Sequence, residues 1–240
     1  MSDQLIRFVR DYFGTNEFIP LHAPVFPGRE KEYVADTIES TFVSSVGAYV
    51  DRFEQDMAGY TGSPKAVATV NGTAALHIAL KLAGVEAGDL VITQPLTFVA
   101  TCNAIAYCNA EPVFIDVDRD TLGLSAKALE AWLDEHTKLD SEGVCRTLAD
   151  NKVIRACVPM HTFGHPADLD GLVSVTRRWN IALVEDAAES LGSYYKGKHT
   201  GTFGALGTLS FNGNKIMTTG GGGMILALSL IHISEPTRPY

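Results

Sequence analysis

Three short motifs in this chain place residues that can do chemistry beside turns that would expose them. The first motif, residues 71–76, follows a strand pattern and opens an apolar-periodic helix. Because the first amides of a helix are free and its N-terminus carries partial positive charge, this turn can hold a phosphate. Gly72 lets the backbone approach a ligand closely, and the Thr73 hydroxyl offers a further contact. Taken alone, the motif fits an ordinary helix cap better, with Thr73 as the cap residue.

The second motif, residues 184–189, ends an apolar strand pattern in a carboxylate. Open α/β sheets bind their ligands at the carboxyl ends of the strands. Asp186 at such an end is a candidate partner for the protonated nitrogen of a pyridine ring, the pairing that pyridoxal phosphate (PLP) chemistry requires. The alternative is that Asp186 caps a following helix.

The third motif, residues 209–215, sets a lysine between an apolar strand pattern and the glycine run 220–223. Such a lysine is a candidate nucleophile, because partial desolvation favours the free amine over the ammonium. Lys215 would then bond covalently to a carbonyl ligand. Ser210 offers a further phosphate contact, and its alternative is a plain strand hydroxyl.

Short β-branched runs alternate with helical patterns along the chain, which predicts a mostly parallel sheet covered by helices. The polar stretch 137–152 is predicted to be a surface insertion. The strand patterns lie at 66–70, 90–93, 112–117, 154–159, 181–185, 193–195, 207–211 and 223–226. The helical patterns lie at 30–40, 49–60, 74–83, 99–108, 125–136 and 168–179.

The chain divides into three segments by pattern. Residues 1–20 are an N-terminal helical segment, residues 21–226 form the large domain, and residues 227–240 are a tail that we interpret as non-native. The tail has no clear periodicity, ends in a proline-rich stub, and resembles a translated adapter or cloning scar. We therefore leave it out of the fold prediction and expect a native C-terminal part to be missing.

Composition narrows the class of protein. Hydrophobic residues make up 46% and charged residues 20%, and the formal net charge of −9 argues against a nucleic-acid or anionic-membrane partner. No apolar run reaches membrane-spanning length. The four cysteines form no CxxC pair and have no histidines at zinc spacing, so we predict no metal site and a reduced, cytoplasmic compartment. Cys102 and Cys108 are predicted to be buried thiols.

Together the motifs resemble the DegT/DnrJ/EryC1/StrS family of PLP-dependent sugar aminotransferases over about residues 20–226. Residues 71–76 are similar to the family's phosphate turn, and residues 94–100 to the segment whose aromatic side chain stacks on the pyridine ring. Residues 185–188 and 210–215 resemble its pyridine-nitrogen and Schiff-base motifs. Residues 40–47, 159–166 and 210–215 are similar to the LegC-like subgroup, which aminates C4 of nucleotide-linked 4-keto-6-deoxy sugars on the way to legionaminic-acid-like sugars.

The resemblance implies the α/β large domain of the PLP-dependent transferase fold type I (aspartate-aminotransferase-like), with the C-terminal small domain missing. It also implies a nucleotide-sugar substrate, glutamate as the amino donor and a homodimer. Gly72, Thr73 and Ser210 would hold the cofactor phosphate.

The same resemblance assigns the remaining site residues. Lys215 would form the Schiff base and move the proton, Asp186 would hold the pyridine nitrogen, and Phe98 would stack on the ring. Glu189 stands where many family members have glutamine, near the phenolic oxygen of the cofactor. A carboxylate there would stay protonated or alter the basicity of the Schiff base.

Three alternatives accompany this interpretation. A nucleotide-binding dehydrogenase fits the alternating pattern, but no GxGxxG follows the first strand. A catalytically incompetent fragment or regulatory relative would keep the fold without turnover. A dehydrating branch of the family carries histidine in place of the Schiff-base lysine, and Lys215 argues against it. His161 and His165 flank a turn after a strand and either line the site or pack in the loop.

Overall fold

A seven-stranded sheet forms the frame of the protein, and the computed structural model describes residues 2–227. The strands of this sheet and of two small hairpins are β1 Lys65–Thr69, β2 Leu90–Thr93, β3 Glu111–Phe114, β4 Thr137–Leu139, β5 Cys145–Thr147, β6 Ile154–Val158, β7 Ala182–Asp186, β8 Tyr194–Tyr195, β9 Lys198–His199, β10 Leu206–Ser210 and β11 Gly223–Ala227. The helices are α1 Ser2–Phe13, α2 Glu30–Glu39, α3 Ala48–Thr61, α4 Gly72–Leu82, α5 Val99–Tyr107, α6 Ala126–His136 and α7 Leu169–Arg178. Thr162–Gly164 forms one turn of 3-10 helix.

The order of the strands explains how distant motifs meet. The sheet runs β1-β11-β10-β7-β6-β2-β3, in which β11 is antiparallel to both neighbours and the strands from β10 to β3 are parallel. The predicted α/β fold with a mostly parallel sheet is therefore confirmed. Because β7 and β10 are parallel neighbours, with Asp186 opposite Thr208, their carboxyl ends bring the second and third motifs to one edge.

Alternating apolar residues of the central strands build a core on each face of the sheet. Val91 and Val184 pack toward α4 and α5, whereas Ile92 and Leu183 pack toward α6 and α7. This period of two is what a sheet covered on both faces requires. Each large aliphatic side chain buried in this way contributes about 1.5–3 kcal/mol.

A third cluster fixes the chain just before Lys215. Phe211 follows β10, is fully buried, and meets the ring of Phe53 on α3 with 5.1 Å between centroids. Met57 of the same helix packs into this cluster. The loop that carries Lys215 therefore starts from a rigid point.

Several element boundaries differ from the prediction. Strand β3 ends at Phe114 rather than at residue 117, because the chain leaves the sheet and Val117 bridges Leu124 instead. Helix α4 begins two residues early, at Gly72, because Asn71 rather than Thr73 is its cap. No helix follows Asp186, since the chain enters a turn after β7, so the predicted alternative of a helix cap is wrong.

The predicted surface insertion is partly anchored in the core. Residues 137–152 contain the β4–β5 hairpin, and its Cys145 is buried in the same cluster as α6 and α7. Cys108 is buried as predicted, but Cys102 is only half-buried. Burial raises the pKa of the Cys157 thiol to about 12, which leaves it unreactive.

The two ends of the described chain bear on the predicted segments. The N-terminal segment does form a helix, α1, which buries none of its residues. Ala227 belongs to β11 and pairs with Lys65, so the sheet runs one residue into the predicted tail. The rest of that tail lies outside the described residues. Between residues 2 and 227, no helix has the length and apolar character needed to cross a membrane.

Candidate active site

A cavity of about 270 Å³ lies where β7 and β10 end and α4 begins. Every residue predicted for the site lines it: the phosphate-turn residues, the aromatic, the strand-end carboxylate, the lysine and the glutamate. The lining residues are Asn71, Gly72, Thr73, Leu76, Phe98, Ala100, Met160, Asp186, Ala188, Glu189, Ser210, Asn212, Asn214 and Lys215.

The start of α4 forms one end of the cavity. The Asn71 side chain accepts a hydrogen bond from the Ala74 amide at 2.8 Å, which fixes the first turn. Gly72 and Thr73 precede the helical hydrogen-bond ladder of α4, and both line the cavity. A Cβ at Gly72 would lie 2.8 Å from Cβ and 3.1 Å from Oγ of Ser210, so only glycine lets the helix start sit against that hydroxyl. A helix start of this kind can hold an anion.

Asp186 also lines the cavity and is 6% exposed. Its Oδ2 accepts a hydrogen bond from the Thr101 hydroxyl at 2.7 Å, and its Oδ1 accepts one from the Ala188 amide at 3.2 Å. Burial raises the pKa of Asp186, although these two donors and the nearby positive charge of Lys215 oppose that rise. A cation placed in the cavity would favour the ionised carboxylate.

Lys215 projects into the cavity beside Glu189. The Lys215 side chain is 12% exposed, and its Nζ donates to Glu189 Oε1 at 3.0 Å. The same Nζ lies 5.9 Å from the ring centroid of Phe98. Phe98 itself is 68% exposed, so its ring forms an open wall of the cavity rather than part of the core.

A second buried carboxylate, that of Glu185, precedes Asp186 on β7. Glu185 is fully buried and accepts hydrogen bonds from the Gly201, Phe203 and Gly204 amides at 2.8, 2.6 and 2.8 Å. His161 Nε2 lies 3.0 Å from its Oε2. Burial alone would raise the pKa of Glu185, but the hydrogen bonds from His161 and the loop amides hold that pKa below its ordinary value.

His161 is therefore a structural neighbour of the site rather than part of its lining. It is fully buried, and its Nδ1 accepts from the Ala167 amide at 3.3 Å, so Nε2 carries the proton donated to Glu185. Its own amide donates to Asp186 O at 3.1 Å. His165 is exposed. Neither histidine lines the cavity, and packing in the loop, one of the predicted alternatives, is found for His161.

Sequence reasoning missed several residues of the site. Thr101, Asn212 and Asn214 were not singled out, although the first contacts Asp186 and the other two line the cavity. The asparagines flank Lys215 in a motif that was already selected, so their position was an available signal. Thr101 had no such signal, because it reaches Asp186 across 85 residues of sequence. Among the described residues, no group of three or more histidines, cysteines or carboxylates is arranged to hold a metal ion.

The fold is that of the PLP-dependent transferases of fold type I, and comparison with known proteins specifies the family. The profile of the DegT/DnrJ/EryC1/StrS aminotransferase family matches residues 27–229, and the chain belongs to that family. Pyridoxal phosphate is the cofactor of this family.

Individual relatives agree with the family assignment. The GDP-perosamine synthase of Caulobacter vibrioides is 42% identical over 207 residues, which are 86% of this chain and 51% of that protein. The structure of an aminotransferase from Psychrobacter cryohalolentis is similar, with a TM-score of 0.76 at 30% identity, over 93% of this chain and 57% of that one. The PLP form of the sugar aminotransferase Spr1654 from Streptococcus pneumoniae gives a TM-score of 0.74 at 27% identity, over 91% and 55%.

Two facts limit what these relatives transfer. The chain spans about half the length of the curated relatives it matches. Their names include GDP-perosamine synthases, which support the family but do not distinguish the LegC-like subgroup.

Proposed function

We propose that this chain is the PLP-binding portion of an aminotransferase that transfers an amino group from glutamate to C4 of a nucleotide-linked 4-keto-6-deoxy sugar. The observation that carries the proposal is one cavity holding Lys215, Asp186 and the N-terminus of α4. Each of these groups suits one part of pyridoxal phosphate. The Lys215 amine can bond to the aldehyde, the Asp186 carboxylate can pair with the ring nitrogen, and the helix N-terminus can bind the phosphate. A single cavity that meets all three supports this cofactor.

The residues of the cavity divide the work of binding. The Gly72 and Thr73 amides and the Ser210 hydroxyl hold the phosphate, with the positive end of the α4 dipole behind them. Asp186 pairs with the ring nitrogen, and Phe98 covers a face of the ring. These contacts orient the ligand toward Lys215.

Lys215 is the catalytic residue in this proposal. When bound, pyridoxal phosphate supplies a ring that takes up electrons from the carbon that loses a proton. Lys215 Nζ would hold the cofactor at rest and, once released, would move a proton between the substrate carbon and the cofactor in each half of the transfer. Glu189 Oε1 accepts a hydrogen bond from that nitrogen at 3.0 Å.

The finer assignment is to the LegC-like subgroup, with legionaminic-acid-like products. Likeness at residues 40–47 and 159–166 supports it, whereas the names of the relatives favour GDP-linked perosamine. We further propose a homodimer, supported by the open side of the cavity at Phe98, and a cytoplasmic location, supported by the four free cysteines.

Transfer of the amino group in two halves tests the proposal. Protein loaded with pyridoxal phosphate is mixed with glutamate, and the keto acid is measured. Sugars linked to GDP, UDP or CMP are then offered, and the aminated sugar is identified by mass spectrometry. We expect Lys215→Ala to abolish both halves, and Lys196→Ala, at an exposed lysine outside the cavity, to leave both unchanged. Captured cofactor without keto acid would overturn the proposal in favour of a chain that binds without turnover.

A further inference from the structure

The hydroxyl groups of Thr97 and Thr101 form a short hydrogen-bonded chain that ends at Asp186. Thr101 is fully buried, and its Oγ1 lies 2.7 Å from Asp186 Oδ2. On the other side, the same oxygen lies 2.7 Å from Oγ1 of Thr97, which is half-buried just before the helix. Neither threonine is among the residues that line the cavity.

Counting protons gives this chain a direction. An ionised carboxylate only accepts hydrogen bonds, so the single hydroxyl proton of Thr101 is donated to Asp186. The Thr101 oxygen must then accept from Thr97. If Asp186 were protonated on Oδ2, both hydrogen bonds would reverse. Both protonation states of Asp186 can therefore be hydrogen-bonded by these hydroxyls, but only the ionised carboxylate requires the Thr101 proton.

We propose that Thr101, supported by Thr97, is a positioning residue that aims the ionised Asp186 carboxylate into the cavity, an inference that rests on the proposed function. A carboxylate has about four acceptor sites. Thr101 and the Ala188 amide take one on each oxygen, on the protein side. The remaining capacity faces the cavity, where a ring nitrogen would lie.

Burial makes this contact matter for charge. Asp186 is almost completely buried and has two donors among the described residues, so loss of one leaves a charged oxygen with little solvation. The neutral carboxyl would then be favoured, and it cannot pair with a cationic nitrogen as an ion. Thr101 thus stabilises the form of Asp186 that the proposed function needs.

Helix α5 links this contact to the ring wall. Phe98 is the cap residue of α5, and the Thr101 amide donates to Phe98 O at 3.1 Å. One helical turn therefore places both the aromatic wall and the donor to Asp186. A shift of this turn would move both together.

The test is the titration of Asp186 in the protein without cofactor, followed by the ¹³C signal of its side-chain carboxyl and assigned with Asp186→Asn. The titratable groups around it are Lys215 and its partner Glu189, which line the same cavity, and His161 and Glu185, which lie next to it at the end of β7. None of these is altered in the variants. We expect Thr101→Val to raise the midpoint by about one pH unit, the scale of one hydrogen bond to a charged group.

Three further variants complete the experiment. Thr101→Ser keeps the hydroxyl and should leave the midpoint in place, whereas Thr97→Val should raise it by less than Thr101→Val does. Thr176→Val removes a buried hydroxyl bonded to Leu172 O, far from Asp186, and should not move it. Should Thr101→Val not fold, Thr97→Val decides the question. An unmoved midpoint in the variants of residues 97 and 101 would overturn the proposal.

The same variants loaded with pyridoxal phosphate separate the two claims. We expect the pH midpoint of the cofactor's visible absorbance to move in Thr101→Val and to be restored in Thr101→Ser. Failure of every variant and the wild type to bind cofactor would contradict the proposed function. The titration without cofactor would still show whether Thr101 sets the charge of Asp186.

Discussion

Glu185 and Asp186 are neighbours on β7, yet their carboxylates have opposite surroundings. Glu185 points away from the cavity, has no exposed surface, and is held by three loop amides and His161. Asp186 borders the cavity and, within residues 2–227, receives two donors. The hydrogen bonds lower the pKa of Glu185, whereas burial raises the pKa of Asp186.

This difference shows how one strand end can combine structure with function. The four donors of Glu185 satisfy its charge, so it ties the strand to the loop 201–204 and to His161 without capacity for a ligand. The raised pKa of Asp186 indicates a charge that the protein leaves undersatisfied. A cationic ligand would complete its surroundings.

The largest effect is expected from Glu185→Gln in a urea unfolding experiment. The amide nitrogen of glutamine would face backbone donors, and the buried pair with His161 would be broken. Either orientation of the glutamine amide leaves two of the four donors unpaired, so we expect the free energy of unfolding to fall by about 2–6 kcal/mol, at about 1–3 kcal/mol for each buried donor. Glu54→Gln is the control, because Glu54 is also buried but accepts a backbone hydrogen bond only from Ala68. Equal losses of unfolding free energy in the two variants would show that the four donors around Glu185 do not add to its contribution to stability.

The pH dependence of that loss follows from the lowered pKa of Glu185. A carboxyl group with a lowered folded pKa contributes stability that is complete above its ordinary value of 4.5 and is lost as the pH falls through the folded value. The wild type and Glu185→Gln should therefore converge in stability in acid. A gap that stays constant from neutral pH into acid would contradict the ionised state of Glu185.

Asp186→Asn is expected to do the reverse, weakening ligand binding and sparing stability. Loss of one hydrogen bond to a charged group, about 1.5–3 kcal/mol, should lower the affinity for pyridoxal phosphate by roughly 10–150-fold. The melting temperature without cofactor should hold or rise, because a buried charge is removed. In Asp89→Asn, which breaks the pair of a buried aspartate with Arg155, stability should fall and affinity should not. Unchanged affinity in Asp186→Asn would remove Asp186 from the site.

The smallest effect is expected from Phe98→Ala. The ring is 68% exposed, so the free energy of unfolding should change by no more than about 0.5 kcal/mol. Loss of an aromatic contact, about 0.5–1.5 kcal/mol, should lower cofactor affinity by roughly 2–10-fold. Phe163→Ala, at a ring that is 86% exposed outside the cavity, should change neither quantity. Similar affinity losses in both variants would speak against ring stacking by Phe98.

Much of the fold follows from local patterns, and the limits of those patterns are specific. A short apolar run between polar turns predicted β2 at 90–93, and all four of its residues are buried. The direction of β11 was not predicted, since the sequence gives no local sign of which neighbours a short strand will pair with. Strand β3 was predicted too long because Ile115 and Val117 remain apolar after the chain has left the sheet.

The site shows the same division between local and distant information. Gly72 was selected because it lies at the start of a predicted helix, Asp186 because it ends a strand, and Lys215 because it lies between an apolar strand and a glycine run. The structure brings all three to one cavity. Thr101 looked like an ordinary residue of an apolar helix. Its contact with Asp186 depends on how α5 lies against the end of β7, which no pattern within either segment encodes.

Covalent trapping at Lys215 tests the central assignment most directly. The protein is incubated with pyridoxal phosphate, reduced with borohydride, digested and mapped by mass spectrometry, with Lys215→Ala treated in parallel. We predict that the cofactor mass is found on the peptide containing Lys215 in the wild type and on no peptide of the variant. Label on another lysine, or none in the wild type, would contradict the assignment of this cavity as a PLP site.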